Sequence, residues 1–299
     1  MNKQTIKLSL IVSFLVICLF SVFAQDSLPQ PEKHFLWKVQ SKTNEVYVLG
    51  SIHYLRKEVY PLHEKIENAF ERSDVLVVEA SVDDEKRIDL QKLAGTAFYL
   101  GNETFEDHVS PETCDLVKKE LVELGIPLDL VQKQKPWLLA MTLASFEISK
   151  LGFDPNYGAD KYFVSKATGR KKILELESFD YQIALFSKLS EKEQELFLLY
   201  ILKDIKVLER ELNRLVQAWT LGDIKSVESI IKKSVKEDKR LTPIYEKLIY
   251  ERNRNMASKI EDYLKTKETY FVIVGAGHLV GSKGIIEILK RKGFTIEQL

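Results

Sequence analysis

The chain has 299 residues, of which 45% are hydrophobic and 29% charged, a composition typical of a soluble globular protein and not of a disordered or collagen-like chain. Its 44 basic residues equal its 44 acidic residues, so the basic surplus of a general nucleic-acid binder is missing and we expect no nucleic-acid partner. The length suits one large domain or two small ones.

Residues 1–24 have the three parts of a secretory signal peptide. Lys3 and Lys7 make the start basic, residues 8–20 form an apolar run broken only by serines, and Val22 and Ala24 fit the small-residue rule before a cleavage site. We expect cleavage after Ala24 and export to the periplasm, the cell envelope or the medium. The alternative is an uncleaved anchor, but the run is shorter than the ~20 residues of a spanning helix, so we expect no membrane span in the mature chain.

Cleavage would leave a single cysteine in the mature chain. It removes Cys18 and keeps Cys114, so no intramolecular disulfide can form. Any metal must therefore be bound by His, Asp or Glu side chains.

The remaining residues predict one domain with a long insertion. Residues 25–33 are polar with two prolines and predict a flexible lead-in. We expect a single α/β domain over residues 34–299, with strand-containing units at both ends and a mostly helical insertion at about residues 82–267.

The first unit begins with two apolar segments, 35–40 and 46–50, which predict a β-hairpin. A helix over 61–72 follows. The next segment, DVLVVEAS (74–81), is a continuous apolar run typical of a strand buried on both faces.

The insertion is predicted to be helical except for one strand, KKILELES (171–178). A Ser-x-x-Glu capping pattern at Ser190 and Glu193 opens its longest helix. The predicted helices span residues 84–100, 111–124, 135–150, 158–168, 190–219, 224–236 and 242–265.

The C-terminal unit repeats the plan of the first one. An apolar strand (270–275) precedes the loop AGHLVG (276–281), a helix (283–292) and a last strand (294–299). The two strand–Gly-x-x-His–helix–strand units predict an α/β fold with a mixed sheet.

Both units place a histidine in the same setting. His53 in VYVLGSIH and His278 in FVIVGAGH each follow an apolar strand within a Gly-x-x-His loop. Open α/β sheets bind ligands at this edge. Two imidazoles there can bind a divalent metal or act as acid and base, and the alternative is two unrelated turn histidines.

Two acidic residues end apolar strands. Glu79 in VVEAS closes a strand that we expect to lie beside the His53 strand. A carboxylate there is costly unless it meets a cation, a metal or good donors, so Glu79 is a candidate metal ligand or general base, with a structural salt bridge as the alternative. Glu177 ends LELES in the same way, and a site role and a structural role are equally open.

Three further residues are candidates for substrate binding together with Glu177. Asp160 follows Tyr157–Gly158 at a helix start, where it can instead stabilise the helix N-terminus. Arg252 and Asn253 lie in the helical segment ERNRNMA, where an arginine can hold a substrate carboxylate or a developing oxyanion. The alternative is that Arg252 and Asn253 are ordinary solvent-exposed helix residues without a role in a site.

The other histidines, His34, His63 and His108, are expected at the surface. The sequence contains no Gly-x-Ser-x-Gly elbow, no His-Glu-x-x-His and no phosphate-binding loop. Serine-hydrolase, zincin and nucleotide-dependent functions therefore lose support.

The chain resembles the GumN branch of the TraB/PrgY/GumN family, relatives of the Tiki-type Wnt-inactivating metalloproteases. The resemblance covers nearly all of the mature chain. The matching stretches are LWKV, VLGSIH, VVEAS, QKPW (134–137), YGAD (157–160), LELES, WTLGD (219–223), ERNRNMA (251–257) and VGAGHLVG (274–281).

The resemblance implies an α/β fold with both histidine loops and an acidic residue facing one cleft. When the family motifs are matched to this sequence, the implied centre is His53, Glu79 and His278. In Tiki-like members, the resemblance implies that such a centre belongs to a metal-dependent peptidase. We therefore expect an exported metal-dependent hydrolase, with a peptide or small-molecule substrate and with Mn, Co, Fe or Zn as the ion. The alternative is a non-catalytic protein that binds a small molecule, a peptide or a haem-like group in the same cleft.

Overall fold

The structure is a computed structural model that describes residues 33–80 and 90–299. The predicted signal peptide, most of the predicted lead-in and the start of the helix predicted over 84–100 lie outside the described residues.

The described residues form one six-stranded mixed sheet in the order β4-β3-β5-β2-β1-β6. The hairpin predicted near the N-terminus is confirmed, because β1 and β2 pair antiparallel. The strands are β1 (Leu36–Gln40), β2 (Glu45–Ser51), β3 (Val75–Val78), β4 (Lys172–Glu175), β5 (Tyr270–Gly275) and β6 (Thr295–Gln298).

The centre of the sheet is parallel, and β5 lies between β2 and β3. Ser51 is opposite Gly275, and Val78 is opposite Ile273, so the carboxyl ends of the three strands are neighbours. The expectation that β3 lies directly beside the His53 strand is wrong, because the C-terminal strand inserts between them. All four residues of β3 are buried, as expected of a strand covered on both faces.

The helices lie mostly in the middle of the chain, as predicted. Those of the described residues are α1 (Glu64–Arg72), α2 (Leu90–Ala97), α3 (Pro111–Leu124), α4 (Pro136–Lys150), α5 (Ala159–Ala167), α6 (Phe179–Ser187), α7 (Glu191–Ile205), α8 (Leu208–Thr220), α9 (Ile224–Ile231), α10 (Lys233–Glu237), α11 (Thr242–Tyr245), α12 (Glu251–Tyr263), α13 (Ala276–Leu279) and α14 (Ile285–Arg291). A π-helical turn (Glu246–Tyr250) joins α11 to α12. Short 3-10 turns span Lys57–Val59, Phe105–His108, Leu128–Leu130, Pro155–Tyr157 and Lys239–Leu241.

The longest predicted helix, residues 190–219, is divided into α7 and α8, which contribute to different cores. α7 places Leu198 and Leu202 in a core formed within the helical middle, whereas α8 places Ala218 and Trp219 in the core of the sheet.

Other boundaries differ for local reasons. The helix predicted from Pro61 begins at Glu64, because the His63 side chain accepts a hydrogen bond from the backbone N–H of Lys65 and caps the helix. The segments predicted as single helices over 224–236 and 242–265 are each interrupted, and the loop predicted after β5 contains the short α13. α6 is not predicted, because its sequence FDYQIALFS has little polar periodicity.

No helix within residues 33–80 and 90–299 is both long and apolar enough to cross a membrane.

Candidate functional site

Three side chains converge over Gly275, the last residue of β5. A β-carbon added to this glycine would lie 3.5 Å from Glu79 Oε2, 3.5 Å from His278 Cδ2 and 3.8 Å from His53 Nε2. They meet because β5 lies between the strands that lead to His53 and Glu79. The prediction that both Gly-x-x-His loops lie at one edge of the sheet is confirmed.

His278 is buried, and its tautomer is fixed by Asn253. The amide Nδ2 of Asn253 donates to the Lys283 carbonyl at 2.8 Å, so its Oδ1 accepts from His278 Nδ1 at 2.6 Å. Burial lowers the pKa of His278 to about 4 although the Glu79 carboxylate opposes this shift. The neutral ring therefore keeps the Nε2 lone pair free, 3.9 Å from Glu79 Oε1.

His53 lies at the mouth of the site, with its side chain 57% exposed. Its Nδ1 is hydrogen-bonded to Asp160 Oδ1 at 3.1 Å, in the first turn of α5. Gly158 allows this approach, because a β-carbon there would collide with the His53 carbonyl group. Loss of hydration lowers the pKa of His53, but the hydrogen bond to Asp160 and the charges of Asp160 and Glu79 outweigh it and raise the pKa to about 9.

Arg252 joins the two strand-end acids. Its Nη2 donates to Glu79 Oε1 and, at 2.7 Å, to Glu177 Oε2, and its Nε donates to the same Glu177 oxygen at 2.9 Å. Its Nη1 donates to the Leu248 carbonyl in the π-helical turn at 3.1 Å. All three nitrogens of this buried guanidinium thus have acceptors within the protein.

Glu79 is surrounded by donors. Its Oε2 accepts the Gly275 N–H at 2.9 Å, and its Oε1 accepts from Arg252 and from Gln182 Nε2 at 3.1 Å. Burial raises the pKa of Glu79, but the charges of Arg252 and His53 and the hydrogen bond from the Gly275 N–H outweigh burial and hold the pKa well below its usual range. The carboxylate is therefore ionised at neutral pH.

The seven residues predicted for the site form two contact groups that meet over Gly275. One group is His53 with Asp160, and the other is Glu79, Glu177, Arg252, Asn253 and His278. The structure places Asp160 and Asn253 behind the two imidazoles, and Arg252 between the two glutamates. Their substrate-binding roles stay predictions.

Sequence reasoning missed Gln182. It lies on α6, and its Nε2 donates both to Glu79 and, at 3.3 Å, to Glu177 Oε2. The sequence feature that could have indicated a role for Gln182 is that it is an uncharged polar residue in an apolar segment just after Glu177.

The donor types at Gly275 suit a divalent metal. Metal-bound histidines donate their second ring N–H to an oxygen acceptor, and Asp160 and Asn253 provide such acceptors for His53 and His278. Over the ranges 33–80 and 90–299, however, no group of three or more His, Cys, Asp or Glu side chains is arranged to hold an ion as it stands.

The remaining histidines are less exposed than predicted. His34 is 3% exposed and stacks on His63 with the ring centroids 3.9 Å apart. His108 stacks on Tyr99 at 4.1 Å and lies beside Glu191. His34 and His63 stack on each other across 29 residues, and His108 meets Glu191 from another helix, contacts that local polarity does not indicate.

Fold and site define an α/β protein with a polar centre at the carboxyl edge of its parallel strands. The chain belongs to the TraB/PrgY/gumN family, whose family model matches residues 35–298. The resemblance found in its motifs is thereby confirmed.

Two of its relatives extend over most of the chain. The uncharacterized protein YbaP of Escherichia coli (strain K12) is 25% identical over 268 residues, which cover 86% of this chain and 94% of YbaP. A metalloprotease TIKI homolog of Nematostella vectensis is 25% identical over 333 residues, which cover 91% of this chain and 68% of that protein.

A shorter match concerns a second metalloprotease TIKI homolog, from Amphimedon queenslandica, which is 39% identical over 54 residues, 17% of this chain and 11% of that protein. No solved structure matches the chain significantly. The comparisons thus show a distant relationship to proteins named as metalloproteases.

Proposed function

We propose that the protein is a metal-dependent hydrolase, specifically a peptidase, whose centre is formed by His53, Glu79 and His278. The observation that carries the proposal is the convergence of these three side chains over Gly275. The names of the TIKI relatives support the reaction class.

The two histidines are oriented for one shared ligand. Asn253 and Asp160 each engage an Nδ1, so an ion would be bound by the Nε2 atoms of both rings. Nε2 of His278 is unprotonated, whereas His53 would have to release the proton that its raised pKa retains at neutral pH. A divalent ion, Mn, Co, Fe or Zn, would supply Lewis acidity and an activated water.

The environment of Glu79 favours a ligand over a base. A general base works best when its pKa is near the working pH, and the pKa of Glu79 is lowered to about 2. Arg252, Gln182 and the Gly275 N–H keep the carboxylate ionised and fix its orientation. Glu79 would therefore contribute negative charge to the centre and would not take up the proton of the attacking water.

A second candidate function is a non-catalytic protein that binds a small ligand, a peptide or a haem-like group at the same edge. It is favoured by the lack of a ready-made group of three metal ligands in the described part of the chain.

The deciding experiment uses the mature protein purified without a metal-affinity tag. We expect cleavage of a peptide library when Mn²⁺ or Co²⁺ is added, and loss of at least about tenfold in rate for Glu79→Gln, because the amide removes the negative charge that Glu79 would contribute to the ion. Glu175→Gln changes a strand glutamate two residues before Glu177 and should leave the rate unchanged. Ligand retention by wild type without any cleavage would favour the binding protein.

We also propose that the protein is exported and that its mature chain begins at Gln25. The support is the basic start, the apolar run and the Val22/Ala24 pair of the first 24 residues. N-terminal sequencing of the protein from the cell envelope and medium should give Gln25 first. A sequence that starts at Met1 would contradict cleavage.

A further inference from the structure

We infer that Gln182 is a positioning residue whose carboxamide holds the Glu79 carboxylate in the orientation required at the shared site. The inference rests on the proposed function, because its main consequence is a change in metal affinity.

The chain places Gln182 there through a short helix. α6 begins directly after Glu177 and Ser178, and the Ser178 hydroxyl caps it by accepting the Tyr181 N–H at 3.2 Å. The first turn carries the Gln182 side chain back over the acids, 3.3 Å from Glu177 and 3.1 Å from Glu79. A carboxamide NH₂ has two N–H donors, so it can serve both acids at once.

The choice of an uncharged donor has an electrostatic reason. Glu79 and Glu177 share one cation, Arg252, so this buried cluster keeps one net negative charge when both acids are ionised. Gln182 donates hydrogen bonds to both carboxylates without adding positive charge to the cluster. A lysine at position 182 would compete with a metal ion for Glu79.

The orientation of Glu79 depends on donors from three elements. Arg252 on α12 and Gln182 on α6 hold Oε1, and the Gly275 N–H at the end of β5 holds Oε2. The last torsion of a glutamate is intrinsically broad, so these hydrogen bonds set the plane of the carboxylate. Without Gln182, Arg252 still donates to Oε1 and the Gly275 N–H to Oε2, but one of the three donors that fix the plane of the carboxylate is lost.

The test compares Gln182→Met with Gln194→Met by calorimetric titration of the metal-free mature proteins with Mn²⁺. Met preserves length and removes the donor. Gln194 is a matched control, since it is 7% exposed and donates to the Leu189 carbonyl at 2.9 Å, outside the network of the site. Gln182→Met should weaken Mn²⁺ binding about tenfold or more, and Gln194→Met should leave it unchanged at a similar melting temperature.

Equal Mn²⁺ affinities for wild type and Gln182→Met would overturn the inference, and Gln182→Ala repeats the comparison if Gln182→Met does not fold. If wild type binds no Mn²⁺, the metal part of the proposed function fails, and crystal structures of the metal-free proteins decide the inference on their own. A Glu79 carboxylate that leaves the Gly275 N–H in the variant supports it. An unmoved carboxylate overturns it.

Discussion

Gly50 and Gly275 hold the same position in the two histidine motifs but have different neighbours. A β-carbon on Gly50 would lie 2.5 Å from a ring carbon of the buried Phe35, which is a clash. A β-carbon on Gly275 would have only ordinary contacts, 3.5–3.8 Å, and all three are to side chains of the proposed centre. The first glycine therefore serves packing, and the second keeps the space between the polar side chains open.

Gly275→Ala should therefore weaken ligand binding while leaving the stability of the fold nearly unchanged. Its backbone, at φ −50° and ψ 134°, is accessible to alanine, so we expect a melting temperature near that of wild type. The new methyl group would occupy the point shared by Glu79, His53 and His278, and Mn²⁺ affinity should fall at least about tenfold, or 1.4 kcal/mol. Calorimetric titration and thermal unfolding measure the two effects.

Gly50→Ala is the control with the opposite expectation. Overpacking against Phe35 should lower the free energy of unfolding by about 1–3 kcal/mol, while the folded fraction keeps its Mn²⁺ affinity. Equal Mn²⁺ binding by wild type and Gly275→Ala would mean that the three side chains share no ion over this glycine.

Local pattern indicates His53, Glu79, His278 and the four candidates around them, but it does not indicate which of these side chains contact one another. His53, Glu79 and His278 stand out because each follows a buried strand, where polar side chains are unusual. The hydrogen bond between Asn253 and His278 joins residues 25 positions apart on different elements, so no spacing rule reports it. Gln182 was not predicted because a single amide side chain in an apolar segment resembles an ordinary helix residue.

At the scale of elements, the sequence predicts which segments are strands more reliably than how they are ordered. The apolar runs of β2, β3 and β5 are each recognisable, and the hairpin of β1 and β2 follows from its short turn. The insertion of β5 between β2 and β3 is a long-range pairing of chain ends, which depends on packing across the whole sheet. This order nevertheless creates the site, because it brings Gly275 between His53 and Glu79.

The start of α7 is an element boundary that the sequence predicts correctly. The Ser190 hydroxyl accepts the Glu193 N–H at 3.3 Å, and the Glu193 carboxylate accepts the Ser190 N–H at 2.8 Å. Ser190→Ala should therefore lower the free energy of unfolding by about 1 kcal/mol, measured by urea denaturation. Lys192→Ala, at an exposed position of the same turn, is the control, and a loss no larger than that of the control would refute the capping contribution.

At the scale of the whole molecule, the two ends of the described chain close one side of the sheet. β1 pairs with β6, the His34 N–H donates to the Leu299 carbonyl, and the Gln298 side chain donates to the His34 carbonyl at 2.9 Å. His34 is buried at this junction, and its Nε2 has no hydrogen-bond partner within the described residues. Burial, with smaller contributions from His63 and Lys65, lowers the pKa of His34 to about 4.

This junction should make stability depend on pH. An unfolded histidine has a pKa of about 6.5, so between pH 6.5 and 4 the unfolded chain takes up a proton that folded His34 does not. The free energy of unfolding is therefore unaffected by His34 above about pH 6.5 and decreases as the pH falls below it. The slope approaches about 1.4 kcal/mol per pH unit. His34→Phe should remove this part of the slope in urea denaturation at several pH values, and identical slopes for both proteins would contradict it.

The central claim is that His53, Glu79 and His278 share one divalent ion, and anomalous diffraction from crystals of the mature protein grown with Mn²⁺ tests it most directly. The account predicts one strong anomalous peak over Gly275, at about 2 Å from Nε2 of both histidines and from the Glu79 carboxylate. The absence of a peak there at saturating Mn²⁺, or a peak bound by other residues, would contradict it.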